Sequence, residues 1–173
     1  EGTLQLAKTA GTAAAINGAL TIGNLAGASA VVYATGAGND QIGGVTVTVN
    51  NGATLDLNGK SDTIGSLVMT GGTVATGLGT ITLGGNITYN LGGQALITGK
   101  LSLGSSNRTF TVNDGASVND LVIDAQVVGT ARTLTKSGNG SLILTNSGNI
   151  FSSTTLSAGI LGIGADSALG TGG

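Results

Sequence analysis

The sequence predicts an all-β chain wound as a right-handed parallel β-helix (a β-solenoid) with coils of about 20 residues. Three observations predict it. Short apolar pairs with strand period recur about every 20 residues. Gly and Asn punctuate them, with 33 Gly in 173 residues, and Pro is absent. Charged residues make up only 8% of the chain, against roughly 25% in average soluble proteins.

The recurrence is read from pairs that place i and i+2 on one strand face. Ile81/Leu83, Leu101/Leu103, Leu121/Ile123, Leu142/Leu144 and Leu161/Ile163 follow one another at nearly equal steps. They predict one stacked core column. A second column runs Leu67/Met69, Ile87/Tyr89, Phe110/Val112, then Leu134 and Leu156. Upstream, Leu4/Leu6, Leu20/Ile22, Val45/Val47/Val49 and Leu55/Leu57 repeat the pattern with looser spacing. Val45-Thr46-Val47-Thr48-Val49 shows the alternation most cleanly, Val inward and Thr outward. Turns such as Asn50-Asn51-Gly52, Asn58-Gly59 and Gly84-Gly85-Asn86 follow the strands, because Gly and Asn tolerate positive φ. The missing Pro agrees, since a central strand must donate to its ladder. Ala13-Ala14-Ala15 allows one helical turn at most. Stacked at ~4.8 Å, the chain predicts about eight coils in a rod of roughly 40 Å, as a single β-helical region over residues 1–173. A β-sandwich is the alternative all-β reading, disfavoured by the short strands and the long repeat.

Composition excludes several function classes. Disorder needs high charge and few aliphatics, and collagen needs Pro and a three-residue period. A net charge of −2 with scattered Lys8, Lys60, Lys100, Arg108, Arg132 and Lys136 gives no patch for nucleic acid or anionic lipid. Four aromatics, Tyr33, Tyr89, Phe110 and Phe151, are too few for a base-stacking platform. Zero Cys removes disulfides and thiolate metal sites. No apolar run reaches membrane-spanning length. Glu1 opens without a signal-peptide pattern, which reads as a mature product or an excised piece.

The candidate sites are few. Gly59-Lys60-Ser61 has the tail of a phosphate-binding loop but lacks the upstream Gly and follows a strand. Thr35-Gly36-Ala37-Gly38-Asn39-Asp40-Gln41-Ile42-Gly43 is similar to a single RTX-type nonapeptide, making Asp40 a calcium ligand candidate. Calcium wants six to eight oxygens and no second copy adjoins the loop. Otherwise no cofactor is expected. Asp114, Asp120 and Asp124 form the densest acidic group, and a polysaccharide-active enzyme would need such carboxylates paired on one face. The repeat step instead sets Asp120 beside Lys100 as a surface ion pair. With no His, the expectation is that the chain is not an enzyme. Asn86-Ile87-Thr88, Asn107-Arg108-Thr109 and Asn139-Gly140-Ser141 fit the glycosylation acceptor pattern and also ordinary turns. Outward Thr46, Thr48, Thr80, Thr82, Thr109 and Thr111 could form a flat hydroxyl array of the kind ice-binding solenoids use, or simply suit a solvated strand face.

Residues 133–173 carry a resemblance. Thr133-Leu134-Thr135-Lys136-Ser137-Gly138-Asn139-Gly140-Ser141-Leu142-Ile143-Leu144-Thr145 resembles the opening of the autotransporter-associated β-strand repeat, "LTKxGxGxLxLxG". The continuation through Asn149-Ile150-Phe151, Leu156 to Gly164 and Ser167-Ala168-Leu169-Gly170 resembles its "GTLxLG…ALG" part. Asn146 departs from the family's usual Gly or Ser. Thr63 to Val74 resembles looser copies. The resemblance implies a passenger region of a type V secreted protein, extracellular or on the surface of a Gram-negative cell. That implies a non-catalytic structural or adhesive role, with an unidentified host or neighbouring-cell ligand. Unpaired strand edges at each end of a solenoid make the chain itself a second partner, stacked end to end as a filament or side by side.

Overall fold

A computed structural model describes residues 1–9, 13–24 and 27–170. The described residues form eighteen β-strands and no helix, and every strand pair is parallel. Ala13-Ala14-Ala15 makes no helical turn; its backbone instead reaches across to the next coil, Ala15 N–H donating to the Gln41 carbonyl at 2.7 Å.

From Thr54 onward each coil visits three faces in turn, whereas the two coils before it place strands on faces A and C. Face A is one eight-stranded sheet: β1 (Gly2–Leu6), β3 (Ser29–Tyr33), β5 (Thr54–Asp56), β8 (Gly72–Ala75), β11 (Ala95–Thr98), β14 (Leu121–Ile123), β16 (Ser141–Leu144) and β18 (Ile160–Ile163), in that order. Face B stacks β6 (Asp62–Ile64), β9 (Ile81–Leu83), β12 (Lys100–Ser102) and the start of β15 (Gln126–Ser137). Face C stacks β2 (Leu20–Ile22), β4 (Val47–Val49), β7 (Leu67–Met69), β10 (Ile87–Tyr89), β13 (Arg108–Val112) and the end of β15. Among the described residues, only β15 and β17 (Ile150–Leu156) run unbroken around the B–C corner, which fuses the two faces into one ten-stranded sheet. The bend falls where Ala131 adopts φ 60° and the β15–β17 register shifts between Gly129 and Thr133.

Register gives the true coil lengths. On face A, Thr3 stacks on Ala30, then Thr54, Thr73, Leu96, Val122, Ile143 and Gly162. That is about 7 turns with ~23-residue spacing. The coil from Thr54 to Thr73 and the coil from Leu142 to Leu161 are the shortest, and the one from Thr3 to Ala30 is the longest. The expected eight coils of about 20 residues are therefore seven unequal ones, longer on average. Loops at the corners absorb the difference, because a corner can lengthen without disturbing the ladder.

The unequal coils also divide the expected first column. Leu101 stacks between Ile81 and Val127 on face B, whereas Leu121 stacks between Ala95 and Leu142 on face A. The coil from Ala95 to Leu121 is longer than the mean, so a uniform step lands on a different face. The members still point inward: Leu101, Leu103, Leu121, Ile123, Leu142 and Leu144 are fully buried. Leu161 is partly buried and Ile163 is 47% exposed, since both belong to the last described coil. The observed face A column is Val31, Leu55, Val74, Ile97, Ile123 and Leu144, all buried, with Leu4 above and Ile163 below. The second expected column is correct through Leu67, Ile87 and Phe110 and again at Leu156, but the residue between Phe110 and Leu156 is Lys136, and Leu134 lies beneath Arg108.

Burial of this column sets the stability. Leu55→Ala should cost about 2–5 kcal/mol, read as a lower denaturant midpoint. Leu78→Ser, at a loop position 93% exposed, should stay within about 0.5 kcal/mol.

Candidate functional site

The groups able to do chemistry gather in two buried clusters and along one outer face. The first cluster occupies the C–A corner of the later coils. Lys136 takes an inward position between Phe110 and Leu156 and is fully buried. Its ammonium donates to the carbonyls of Ser137 (2.9 Å), Gly138 (2.7 Å) and Ala158 (3.0 Å), tying two coils together. Burial holds its pKa below the ordinary lysine value, and the field of Asp120 partly opposes that. Asp120 accepts from Gly115 N–H and Ser141 N–H, each at 2.8 Å, and its own N–H donates to Ser141 Oγ at 2.8 Å. Tyr89 turns its hydroxyl to the carbonyls of Gly92 and Gly93, and burial, then Asp120, raise its pKa.

This corner explains the Lys-x-Gly-x-Gly pattern. Gly138 sits at φ 78°, where a Cβ would come within 2.4 Å of the Val112 carbonyl oxygen. At Gly140 a Cβ would meet the Asn113 carbonyl at 2.4 Å and Asp120 Oδ2 at 2.7 Å. Ser141 beside Asp120 and near Lys136 has the residue types of a nucleophile and its helpers. Ser141 is only 4% exposed, however, and its Oγ already bonds Asp120 and the Val118 carbonyl. In this arrangement the Lys136 and Asp120 side chains clamp backbone of adjacent coils. The expected Lys100–Asp120 pair does not form: the long coil between Ala95 and Leu121 sets Lys100 opposite Gln126. Asp114, Asp120 and Asp124 form no group of three: Asp114 opens the same corner loop that Asp120 closes, and Asp124 follows β14 and accepts from Thr145 Oγ1 at 2.7 Å. Arg108 follows the logic of Lys136, donating to the Leu103 carbonyl at 2.7 Å and the Leu83 carbonyl at 2.5 Å.

The second cluster lies in the early coils. Asp62 points inward in the position that Ile81 holds one coil below, and is 2% exposed. Its Oδ2 accepts from the Tyr33 hydroxyl and, at 2.9 Å, from Ile42 N–H; its Oδ1 has no hydrogen-bond partner. Burial raises the Asp62 pKa, outweighing those donors, and Asp40 adds to the rise. The Tyr33 phenol is pushed far above its usual range by burial and by Asp62.

Asp40 lines a cleft of about 490 Å³ with Asn17, Ile42, Gly43 and Thr63. The rest of its loop is spent on protein contacts. Asn39 Oδ1 accepts from Ser61 N–H at 3.0 Å, and Gln41 Nε2 donates to the carbonyls of Lys8 at 2.7 Å and Gly38 at 3.2 Å. Among the described residues no group of three His, Cys, Asp or Glu side chains gathers to hold a metal. Asp40 itself adopts φ 53° as a turn residue. Gly59-Lys60-Ser61 is likewise a corner turn, closed by Lys60 N–H to the Leu57 carbonyl at 2.8 Å. Asn86 and Asn107, from two of the glycosylation patterns, accept from Thr109 N–H and Thr133 N–H across coils at 3.0 Å each.

On the outside, register sorts the threonines. Thr46, Thr48, Thr109 and Thr111 belong to face C, whereas Thr82 pairs with Thr63 and Ser102 on face B, with Thr80 just before it. Face C carries an outward column of Thr21, Thr48, Val68, Thr88, Thr111 and Ser137. Sequence pattern could not separate the faces, because outward Thr looks alike on all three. No helix among the described residues is long and apolar enough to cross a membrane. Comparison with family models, curated proteins and solved structures gives no match to this chain.

Two outcomes test the clusters. Asp62 has its pKa raised on folding, so its contribution is fully present below the ordinary carboxylate value of about 3.8 and is lost as pH rises through the folded value. Denaturant titrations should show stability falling with pH in that window, and Asp62→Asn should flatten the fall and raise stability at neutral pH. Lys136→Met removes a buried charge but orphans three carbonyls; it should lower the denaturant midpoint by an equivalent of about 1–3 kcal/mol.

Proposed function

We propose that the chain is a non-catalytic structural or adhesive rod, exposed on or secreted from a Gram-negative cell in the manner of an autotransporter passenger. The observation that carries this reading is the unbroken ladder of parallel coils with long, regular outer faces. A solenoid of this kind offers extended lateral surface with little else. The corner built by Lys136, Gly138 and Gly140 supports the resemblance to the autotransporter-associated repeat, since it gives those residue types a physical reason to recur. The Lys136–Asp120–Ser141 cluster supports a non-catalytic role because its ammonium, carboxylate and hydroxyl are engaged with backbone and with one another. Antibodies to the purified chain should label intact source cells, and the chain should bind a partner surface without turning it over. Labelling only after permeabilisation, or polysaccharide cleavage lost on Asp120→Asn, would contradict the reading.

A second reading is favoured by where apolar surface lies. Ile150, Leu156, Ile160, Ile163 and Leu169 are exposed on the last described coil, and Leu4 is 48% exposed on the first. Leu4 and Ile163 are the two ends of one core column. A second copy stacked head to tail would bury both and leave the same ends free, the arrangement that grows filaments. Sedimentation should then show concentration-dependent fibres, abolished by Ile163→Lys; discrete single rods at all concentrations would rule it out.

A further inference from the structure

We propose that face C is an ice-binding surface. A second outward column stands beside the one already described. Thr46, Ser66 and Asn86 precede β4, β7 and β10, and Thr109, Thr135 and Thr155 continue the line in paired register. The two columns give a Thr-x-Thr-like array: Thr46 and Thr48, Asn86 and Thr88, Thr109 and Thr111, Thr135 and Ser137. Coils repeat at about 4.8 Å and alternate residues along a strand at roughly 6.7 Å, so the hydroxyls form a two-dimensional lattice interrupted at Val68 and Asn86.

Three features select the partner. None of the twelve positions in the two columns is charged, so apposition strips no ion of its water and gives no grip on an anion. All four aromatics are buried, at 0–1% exposure, so no ring is offered to stack on a sugar or a base. The array is also held in place from coil to coil. Thr111 and Ser137 hydroxyls bond at 3.0 Å, and at the face's border Thr70 Oγ1 donates to Asn50 Oδ1 at 3.2 Å and Asn113 Nδ2 to Asn90 Oδ1 at 3.3 Å. Pre-organised groups lose little entropy on binding. A rigid, neutral lattice of hydroxyls and methyls matches a partner that is itself a neutral hydrogen-bonding lattice, and ordered water at an ice surface is that partner.

The inference names a ligand for the lateral surface of the rod and rests on the reading of that surface as adhesive, yet it fails separately, because ice adsorption is measured on the purified chain without reference to its cellular location. Fluorescently labelled chain is incubated with a slowly growing ice hemisphere, and thermal hysteresis is read on the same sample. The native chain should enter the ice and give measurable hysteresis. A triple variant, Thr48→Lys, Thr88→Lys and Thr111→Lys, should lower the ice-bound fraction about tenfold, as expected when charges replace central contacts. Thr82→Lys on face B should bind as the native chain does. Exclusion of the native chain from ice, or equal adsorption by the triple variant, would overturn the proposal.

Discussion

The structure depends on one constraint: each coil must lay its inward side chains over those of the coil below while its strands pair in parallel. The Leu4-to-Ile163 column on face A is the plainest expression of it. Backbone ladders supply direction and spacing, and the aliphatic column supplies the hydrophobic stabilisation that makes those ladders persist. Because neither element tolerates a slip, variation is pushed into the corners. Coils as unequal as those from Thr54 to Thr73 and from Thr3 to Ala30 therefore follow one another without any break in face A.

The corners bring their own difficulty, since turning the chain leaves carbonyls and amides that no strand satisfies. The chain answers with side chains that bond backbone. Lys136 and Arg108 bring buried cations to carbonyls, Asp120 brings a carboxylate to amides, and Asn149 bridges Val127 N–H and the Ala168 carbonyl. An uncompensated buried charge is costly, so these groups occur where several backbone dipoles converge. Among the described residues Asp62 is the exception: its buried Oδ1 has no hydrogen-bond partner.

Much of the fold was legible in the sequence because period-two pairs and Gly/Asn turns report strands and corners directly. Inward residues such as Leu142 and Leu144 could be named for the same reason. What could not be read was which face a strand occupies. Leu101 and Leu121 are both apolar, both in a short strand and one expected repeat apart, and nothing local distinguishes face B from face A. The loop from Asn113 to Asp120 that lengthens the coil carries no signal of its size in the pattern. The polar core positions were missed for a related reason: Lys136 and Asp62 sit at inward phase, but a charged residue at that phase reads as solvent-facing until its backbone partners are known.

The register itself is open to a direct measurement, helped by a sequence without native Cys. Outward Leu96 and Val122 are opposed on adjacent coils of face A, at a separation of about 4.8 Å that a disulfide can span. Leu96→Cys with Val122→Cys should oxidise to an intramolecular cross-link, detected by mass spectrometry. Ser102→Cys with Val122→Cys, the pair that coils of constant length would superimpose, should stay reduced. Cross-linking of the second pair and not the first would contradict the arrangement of faces on which the whole account stands.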